Sequence, residues 1–183
     1  MKIQKRELIY KGFYTLNRLF FSEKKGKEKY NREQFVTPNS VGVLLFNTCL
    51  KKIILVKQFR IGPEKELIEV VAGKIEHDEK KPMETAKREV LEETGYQVDN
   101  IKYIHGFHPC PGPVSEYMEL YFAECSEKIS KGGGVDSEHE TIEIIEMEPM
   151  EFVDFIFHDA KSIIAQQWFK LNKTDFLNLN RTS

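Results

Sequence analysis

The stretch from Gly73 to Tyr96, GKIEHDEKKPMETAKREVLEETGY, constrains the fold more than any other part of the chain. Pro82 suits the first turn of a helix, where the N–H it lacks would have no intrahelical partner. From Met83 to Thr94, the residues Met83, Ala86, Val90 and Thr94 fall along one stripe at helical spacing. Gly95 is the natural left-handed stop. A helix with such a stripe must lie on another apolar surface, and the flanking sequence supplies strands. Val41–Asn47 (VGVLLFN) and Ile53–Phe59 (IILVKQF) are short apolar runs rich in β-branched residues, as buried strands are. Lys5–Tyr10, Phe13–Phe21, Tyr30–Val36 and Glu66–Val71 read as further strands, with a charged turn at Glu23–Lys29. Ile101–Phe107, Glu116–Glu124 and Thr141–Glu146 follow as strands, and Met150–Phe157 and Lys161–Leu171 as closing helices. The expectation is an α/β domain with helices packed on a mixed sheet.

At 183 residues, the chain has the length of one domain with at most a small appendage. Its 40% hydrophobic and 31% charged residues are ordinary for a globular protein. A net charge of −2 lacks the basic footprint of a nucleic-acid binder. The start, MKIQKRELIYKGF, has no apolar core of signal-peptide length, and no run approaches the roughly 20 apolar residues of a membrane helix. Cys49, Cys110 and Cys125 show no CxxC spacing and read as buried, reduced thiols. His105 and His108 stand three apart without a second ligand pair to complete a zinc site. These features predict a soluble, cytoplasmic protein without nucleic-acid or membrane partners.

The chemistry is concentrated on the helix. Glu89 and Glu93 lie one turn apart on the same face, and Glu92 lies about 100° round from Glu93. Three carboxylates so close repel one another, and either a solvated face or a bound hard cation makes that tolerable. Oxygen donors without cysteine or histidine suit Mg²⁺ or Mn²⁺ rather than zinc.

Gly73, Glu79, Arg88, Glu89, Val90, Glu92, Glu93, Gly95 and Tyr96 closely resemble the Nudix box, the signature of a family of nucleoside-diphosphate hydrolases. REVLEETGY matches its second half throughout, whereas eight residues instead of seven separate Glu79 from Arg88. Pro111, sixteen residues after Gly95, and the flanking CPGPVSE resemble markers of the ADP-ribose pyrophosphatase group. IYKGFYTL, QFRIG, LIEVVAGKIE, GGGVDSEHETIEI and DAKSIIAQQWFKL are similar to the same group, and GGGV to its GDP-mannose members. The resemblance implies a Nudix α/β/α sandwich over 39–173. It also implies an N-terminal antiparallel β region, 1–38, used in dimerisation; 174–183 reads as a polar tail.

The same resemblance implies roles residue by residue. Glu89 and Glu93 would hold Mg²⁺ (or Mn²⁺) with the carbonyl of Ala72, while Glu92 would be a second-metal ligand or an outer partner. Arg88 would orient one of these carboxylates. Gly73, Glu79 and Gly95 would shape the box. The base would be Glu138, with Glu140 the runner-up. Phe13 would stack on a nucleobase, or else belong to the core. Arg60, Gly112 and Glu116 would contact substrate, and Arg32 and Glu33 would reach it from a neighbouring subunit. Gly132–Gly134 reads as a hinge for the acidic segment, being neither a P-loop nor a dinucleotide fingerprint. Ser115 and Cys110 have no readable base partner for covalent catalysis.

The implied function is metal-dependent cleavage of a nucleotide sugar at its pyrophosphate by a homodimer. ADP-ribose comes first and GDP-mannose a close second. A non-catalytic nucleotide-sugar sensor of the same fold is the alternative of another class. Such sensors tend to lose the box carboxylates, which are present here. An RNA-processing member of the family finds little support in the near-neutral charge.

Overall fold

The computed structural model describes residues 2–22, 30–76, 81–134 and 141–177. The charged turn at Glu23–Lys29 lies outside the described residues, as do Glu79, Glu138 and Glu140. Ten strands and three helices follow one another among them: β1 (Lys2–Lys11), β2 (Thr15–Ser22), β3 (Tyr30–Val36), β4 (Ser40–Asn47), β5 (Lys52–Arg60), β6 (Lys65–Glu69), β7 (Val71–Lys74), α1 (Pro82–Thr94), β8 (Tyr96–Phe107), β9 (Met118–Lys128), β10 (Glu143–Met147), α2 (Pro149–Asp154) and α3 (Ala160–Leu177).

β4 is buried along its whole length, so it reads as a near-continuous apolar run and lies in the middle of the sheet. That mixed sheet has the order β10-β5-β4-β9-β8. β6 adds to β5 and β7 adds to β4. β4 and β9 run parallel, with Val41 opposite Glu119 and Val43 opposite Tyr121. β1, β2 and β3 form a separate antiparallel sheet.

Alternation along β4 divides the core between the two faces of the mixed sheet. Val41, Val43 and Leu45 pack with Ala86 and Val90 of α1, while Leu44 and Phe46 pack with Phe152 and Phe169 of α2 and α3. The result is a three-layer α/β/α sandwich. Cys125 lies fully buried on the α1 side, and burial pushes its thiol pKa up to about 12.

Four expectations change. Glu66–Val71 is not one strand: the N–H of Val70 leaves the ladder and donates to Ser162 Oγ at 3.0 Å. The chain therefore breaks between β6, which follows β5, and β7, which follows β4. The helix expected at Met150–Phe157 ends at Asp154, because Gln166 Nε2 takes the carbonyls of Phe152 and Phe155 at 2.7 and 2.6 Å. Met83 does not share the buried stripe of α1; Thr85 is buried there instead. Of the three thiols expected inside, Cys49 and Cys110 are exposed.

Candidate active site

The local sequence places the carboxylates by two glycine-dependent contacts. The first is at Gly73 on β7. A Cβ at this position would lie 1.8 Å from the Glu89 carboxyl carbon, so only glycine lets the Glu89 side chain rest on the strand. The second is the helix stop. Gly95 has φ 76° and donates its N–H to the Leu91 carbonyl at 2.9 Å, which ends α1 and starts β8 at once.

Glu93 is buried at 3% exposure and accepts the Ala72 N–H at 3.3 Å. Arg88 clamps the other two carboxylates, reaching Glu89 at 2.9 Å and Glu92 at 2.6 Å. It also donates to the Lys74 carbonyl at 3.4 Å. Arg88 thus bridges two of the three carboxylates. Ala72, Gly73, Arg88, Glu89, Glu92 and Glu93 come together where α1 lies on β7, while Gly95 ends the helix.

Gly132–Gly134, expected as a hinge, has a structural task at the end of α1. All three residues have positive φ, at 69°, 103° and 87°. Gly133 donates to the Glu93 carbonyl at 2.8 Å and Gly134 to the Glu92 carbonyl at 3.1 Å. They therefore satisfy carbonyls that the end of α1 leaves without intrahelical partners. The segment leading to 135–140 starts on the backbone of two of the carboxylate residues.

The remaining candidate residues spread outwards. Phe13 is 82% exposed, so it is no core residue. Its ring lies 4.7 Å from the Lys74 ammonium and edge-on to Tyr14. Glu116 accepts from the Ser40 hydroxyl, and its backbone carbonyl accepts from His108 Nδ1 at 2.6 Å. Gly112 sits in an exposed turn where a Cβ would meet nothing within 4 Å, so no crowding demands glycine. The contacts of Arg32 and Glu33 stay inside the N-terminal sheet: Arg32 donates to the Asn31 carbonyl and Glu33 pairs with Arg18 at 3.1 Å.

Arg60 belongs to a second charge cluster that sequence reasoning missed. It binds Glu69 at 2.6 Å, and Glu69 also takes Lys161 at 2.8 Å. Lys161 in turn meets Asp159 at 3.0 Å, and Asp159 caps α3 by accepting the Ser162 N–H at 3.0 Å. A signal was available, because Glu69 stands inside the apolar run LIEVV, where a carboxylate needs a buried partner.

The donor set at the β7–α1 junction consists of hard oxygens and fits a hard divalent cation. Among the described residues, the three carboxylates Glu89, Glu92 and Glu93 gather round the one guanidinium of Arg88. With Arg88 bridging Glu89 and Glu92, no three metal-binding side chains among the described residues converge as a ready-made cage. A cation here would complete its shell with a carbonyl, water or substrate oxygens, as Mg²⁺ commonly does.

Fold and site together define an α/β/α sandwich with a carboxylate cluster on the helix that follows β7. The NUDIX domain model matches residues 36–168, and the chain belongs to that family. Among its relatives, the GDP-mannose pyrophosphatase of Cronobacter sakazakii is 31% identical over 93% of this chain and 95% of its own length. The methanol dehydrogenase activator of Bacillus methanolicus is 32% identical over 94% of both chains. A solved structure of an ADP compounds hydrolase superposes with a TM-score of 0.73 over 93% of this chain and 95% of its own, at 17% identity. That last likeness bears on the fold alone. No helix among the described residues is long and apolar enough to cross a membrane.

Proposed function

We propose that this Nudix pyrophosphohydrolase cleaves the pyrophosphate bond of a nucleoside-diphosphate sugar, releasing a nucleoside monophosphate and a sugar phosphate. The observation that carries the reading is the cluster of Glu89, Glu92 and Glu93 around Arg88, laid against Gly73. Its three carboxylates are useful opposite a pyrophosphate only when divalent cations stand between them. Mg²⁺ (or Mn²⁺) bound there would offset phosphate charge and make a bound water more acidic. Glu89, Glu93 and the Ala72 carbonyl are the proposed ligands, with Glu92 as a second ligand or outer partner. Arg88 holds the carboxylates in register. Glu138 or Glu140, both outside the described residues, is the proposed base.

Phe13 and Lys74 offer a ring and a cation beside β7, chemistry suited to a nucleobase and its phosphate. The sequence ranks ADP-ribose ahead of GDP-mannose. A relative named GDP-mannose pyrophosphatase and matched over nearly its full length favours the reverse order. We further propose the division into 1–38, 39–173 and a tail at 174–183. The exposed apolar residues of the first segment, Ile3, Leu8, Ile9 and Tyr10, support a homodimer through that sheet, with Arg32 and Glu33 serving the partner's site. The exposed free thiols Cys49 and Cys110 fit a reducing cytoplasm.

The test is product release from GDP-mannose, ADP-ribose, ADP-glucose, UDP-glucose, diadenosine polyphosphate and NADH, with and without Mg²⁺. Metal-dependent release of a nucleoside monophosphate and a sugar phosphate is expected. Glu93→Gln should lower it at least about 100-fold, beyond the usual effect of changing an outer-shell partner. No turnover, with a nucleotide sugar still raising the melting temperature, would establish the sensor instead.

A further inference from the structure

We propose that Glu119, Tyr103, Tyr117 and Tyr121 form the subsite for the sugar ring of the substrate, an inference that rests on the nucleotide-sugar hydrolase reading. Strand register carries the first step. Gly73 pairs with Val41, Val41 with Glu119, and Glu119 with Gly106. Directly paired residues point to the same face of a sheet. Val41 packs on the α1 side, so Glu119 and Gly106 face that side too. Two strand spacings, about 10 Å, separate Glu119 from the strand on which Glu89 rests. That is the scale of a diphosphate followed by one sugar ring.

The second step is what stands there. Tyr121, buried at 3% exposure, donates its hydroxyl to Glu119 Oε2. A carboxylate has about four lone-pair sites, and this bond uses one. Tyr103 packs edge-on against Tyr121, with centroids 5.7 Å apart. The Tyr103 and Tyr117 hydroxyls both close in on Gly106. A Cβ at Gly106 would come within 2.0 Å of the Tyr117 hydroxyl and 2.8 Å of the Tyr103 hydroxyl, so both lie down over this glycine. The His108 ring leans on Tyr117 at 5.2 Å. Tyr103 remains 47% exposed.

The third step is chemistry. Glu119 and the three tyrosines contribute no cation, which disfavours a phosphate at this point. A carboxylate beside tyrosine hydroxyls accepts and donates to vicinal hydroxyl groups, and ring faces cover the C–H face of a pyranose or furanose. The two flanks of the metal-binding carboxylates thus differ. Phe13 and Lys74 lie at the end of β7, and the cation-free, hydroxyl-rich patch lies along β8 and β9. A nucleoside diphosphate sugar has the same polarity, with base and phosphate at one end and a polyol at the other.

The experiment compares two substrates that share every group except the sugar: GDP-mannose and the methyl ester of GDP, with ADP-ribose and the methyl ester of ADP as the second pair. Glu119→Gln, Tyr103→Phe and Tyr103→Ala are measured for KM and kcat on each, and melting temperatures confirm that they fold. Glu119→Gln and Tyr103→Ala should raise KM for the sugar nucleotide about tenfold or more and leave the methyl ester within about twofold. Tyr103→Phe, which keeps the ring, should fall between Tyr103→Ala and the parent. Equal effects on both members of a pair, or none on either, would overturn the sugar subsite and leave the hydrolase reading standing. Absence of metal-dependent cleavage by the parent protein would overturn the hydrolase reading and the subsite with it.

Discussion

Two charge clusters lie on this sheet, and they differ in how their charges balance. At the β7–α1 junction, Glu89, Glu92 and Glu93 stand against Arg88. Between β6 and the start of α3, Glu69 and Asp159 stand against Arg60 and Lys161. The second set is neutral as a whole, and Glu69 is 2% exposed. A balanced set around a buried carboxylate acts as a lock, tying β6 to α3 while the adjacent Val70 N–H is taken by Ser162. The first set holds three carboxylates to one guanidinium among the described residues, and Arg88 and Glu92 are each about a third exposed at their side chains. Carboxylates that repel one another, part buried and part open to solvent, suit the cation proposed above. Charge balance, more than charge number, separates the site from the scaffold.

The sharpest way to break that contrast is to remove the pivot of the lock. Glu69→Ala leaves Arg60 and Lys161 without their shared partner in a buried place and should cost about 3–5 kcal/mol. The melting temperature would then fall by roughly 10 °C for a chain of this length. A normal melting temperature with lost turnover would instead turn Arg60 and Lys161 towards substrate, as the family resemblance suggests for Arg60. The opposite signature is expected from Arg88→Lys. An ammonium cannot bridge Glu89 and Glu92 as the planar guanidinium does. Mg²⁺-dependent turnover should drop about 10–100-fold, as when a partner of a metal ligand is changed. The loss of partly exposed pairs should move the melting temperature by no more than about 4 °C.

The same contrast explains what the sequence disclosed. The unbalanced cluster is local: all its charged members lie within one and a half turns of α1, so helical periodicity alone brings them together. Gly73 and Gly95 were legible for the same reason, since they stand in the intact stretches on either side of the extra residue. The balanced cluster draws on three distant segments, around Arg60, Glu69 and Lys161, and only the fold joins them. The split of Glu66–Val71 was hidden because its cause, the Ser162 hydroxyl, lies 92 residues away from Val70. Phe13 was undecided between core and surface because an aromatic next to Gly12 fits either. The patch around Glu119 escaped notice because its residues alternate with apolar ones along an otherwise ordinary strand, and only the pairing with Val41 and Gly73 shows which way they face.

A smaller effect should come from the glycines that fasten α1. Alanine at position 132 would require φ near 69° and put Cβ 2.5 Å from the Thr94 carbonyl carbon. Gly132→Ala should therefore cost about 1–3 kcal/mol. Because Gly133 and Gly134 bond to the carbonyls of Glu93 and Glu92, the loss should reach Mg²⁺-dependent turnover as well as stability. Unchanged turnover at reduced stability would assign these glycines to the scaffold and leave the carboxylates independent of them.

The smallest effect tests the layer beneath the unbalanced cluster. Cys125 lies in the same apolar layer as Ala86 and Val90 of α1, and burial raises its pKa from 9.0 to about 12. A raised pKa means that the folded state holds the proton more tightly than the unfolded chain. The stability this contributes is complete below pH 9 and is lost as the pH rises from 9 towards 12. At pH 10 the loss is about 1 kcal/mol, or roughly 3 °C in melting temperature. Cys125→Ala should start from a lower melting temperature because it opens a small cavity, yet lose less between pH 8 and pH 10 than the parent. Parallel curves for the two proteins would mean that alkaline loosening begins elsewhere, with Tyr96 and Tyr121, whose buried phenols are also shifted upwards, as the next groups to replace by phenylalanine.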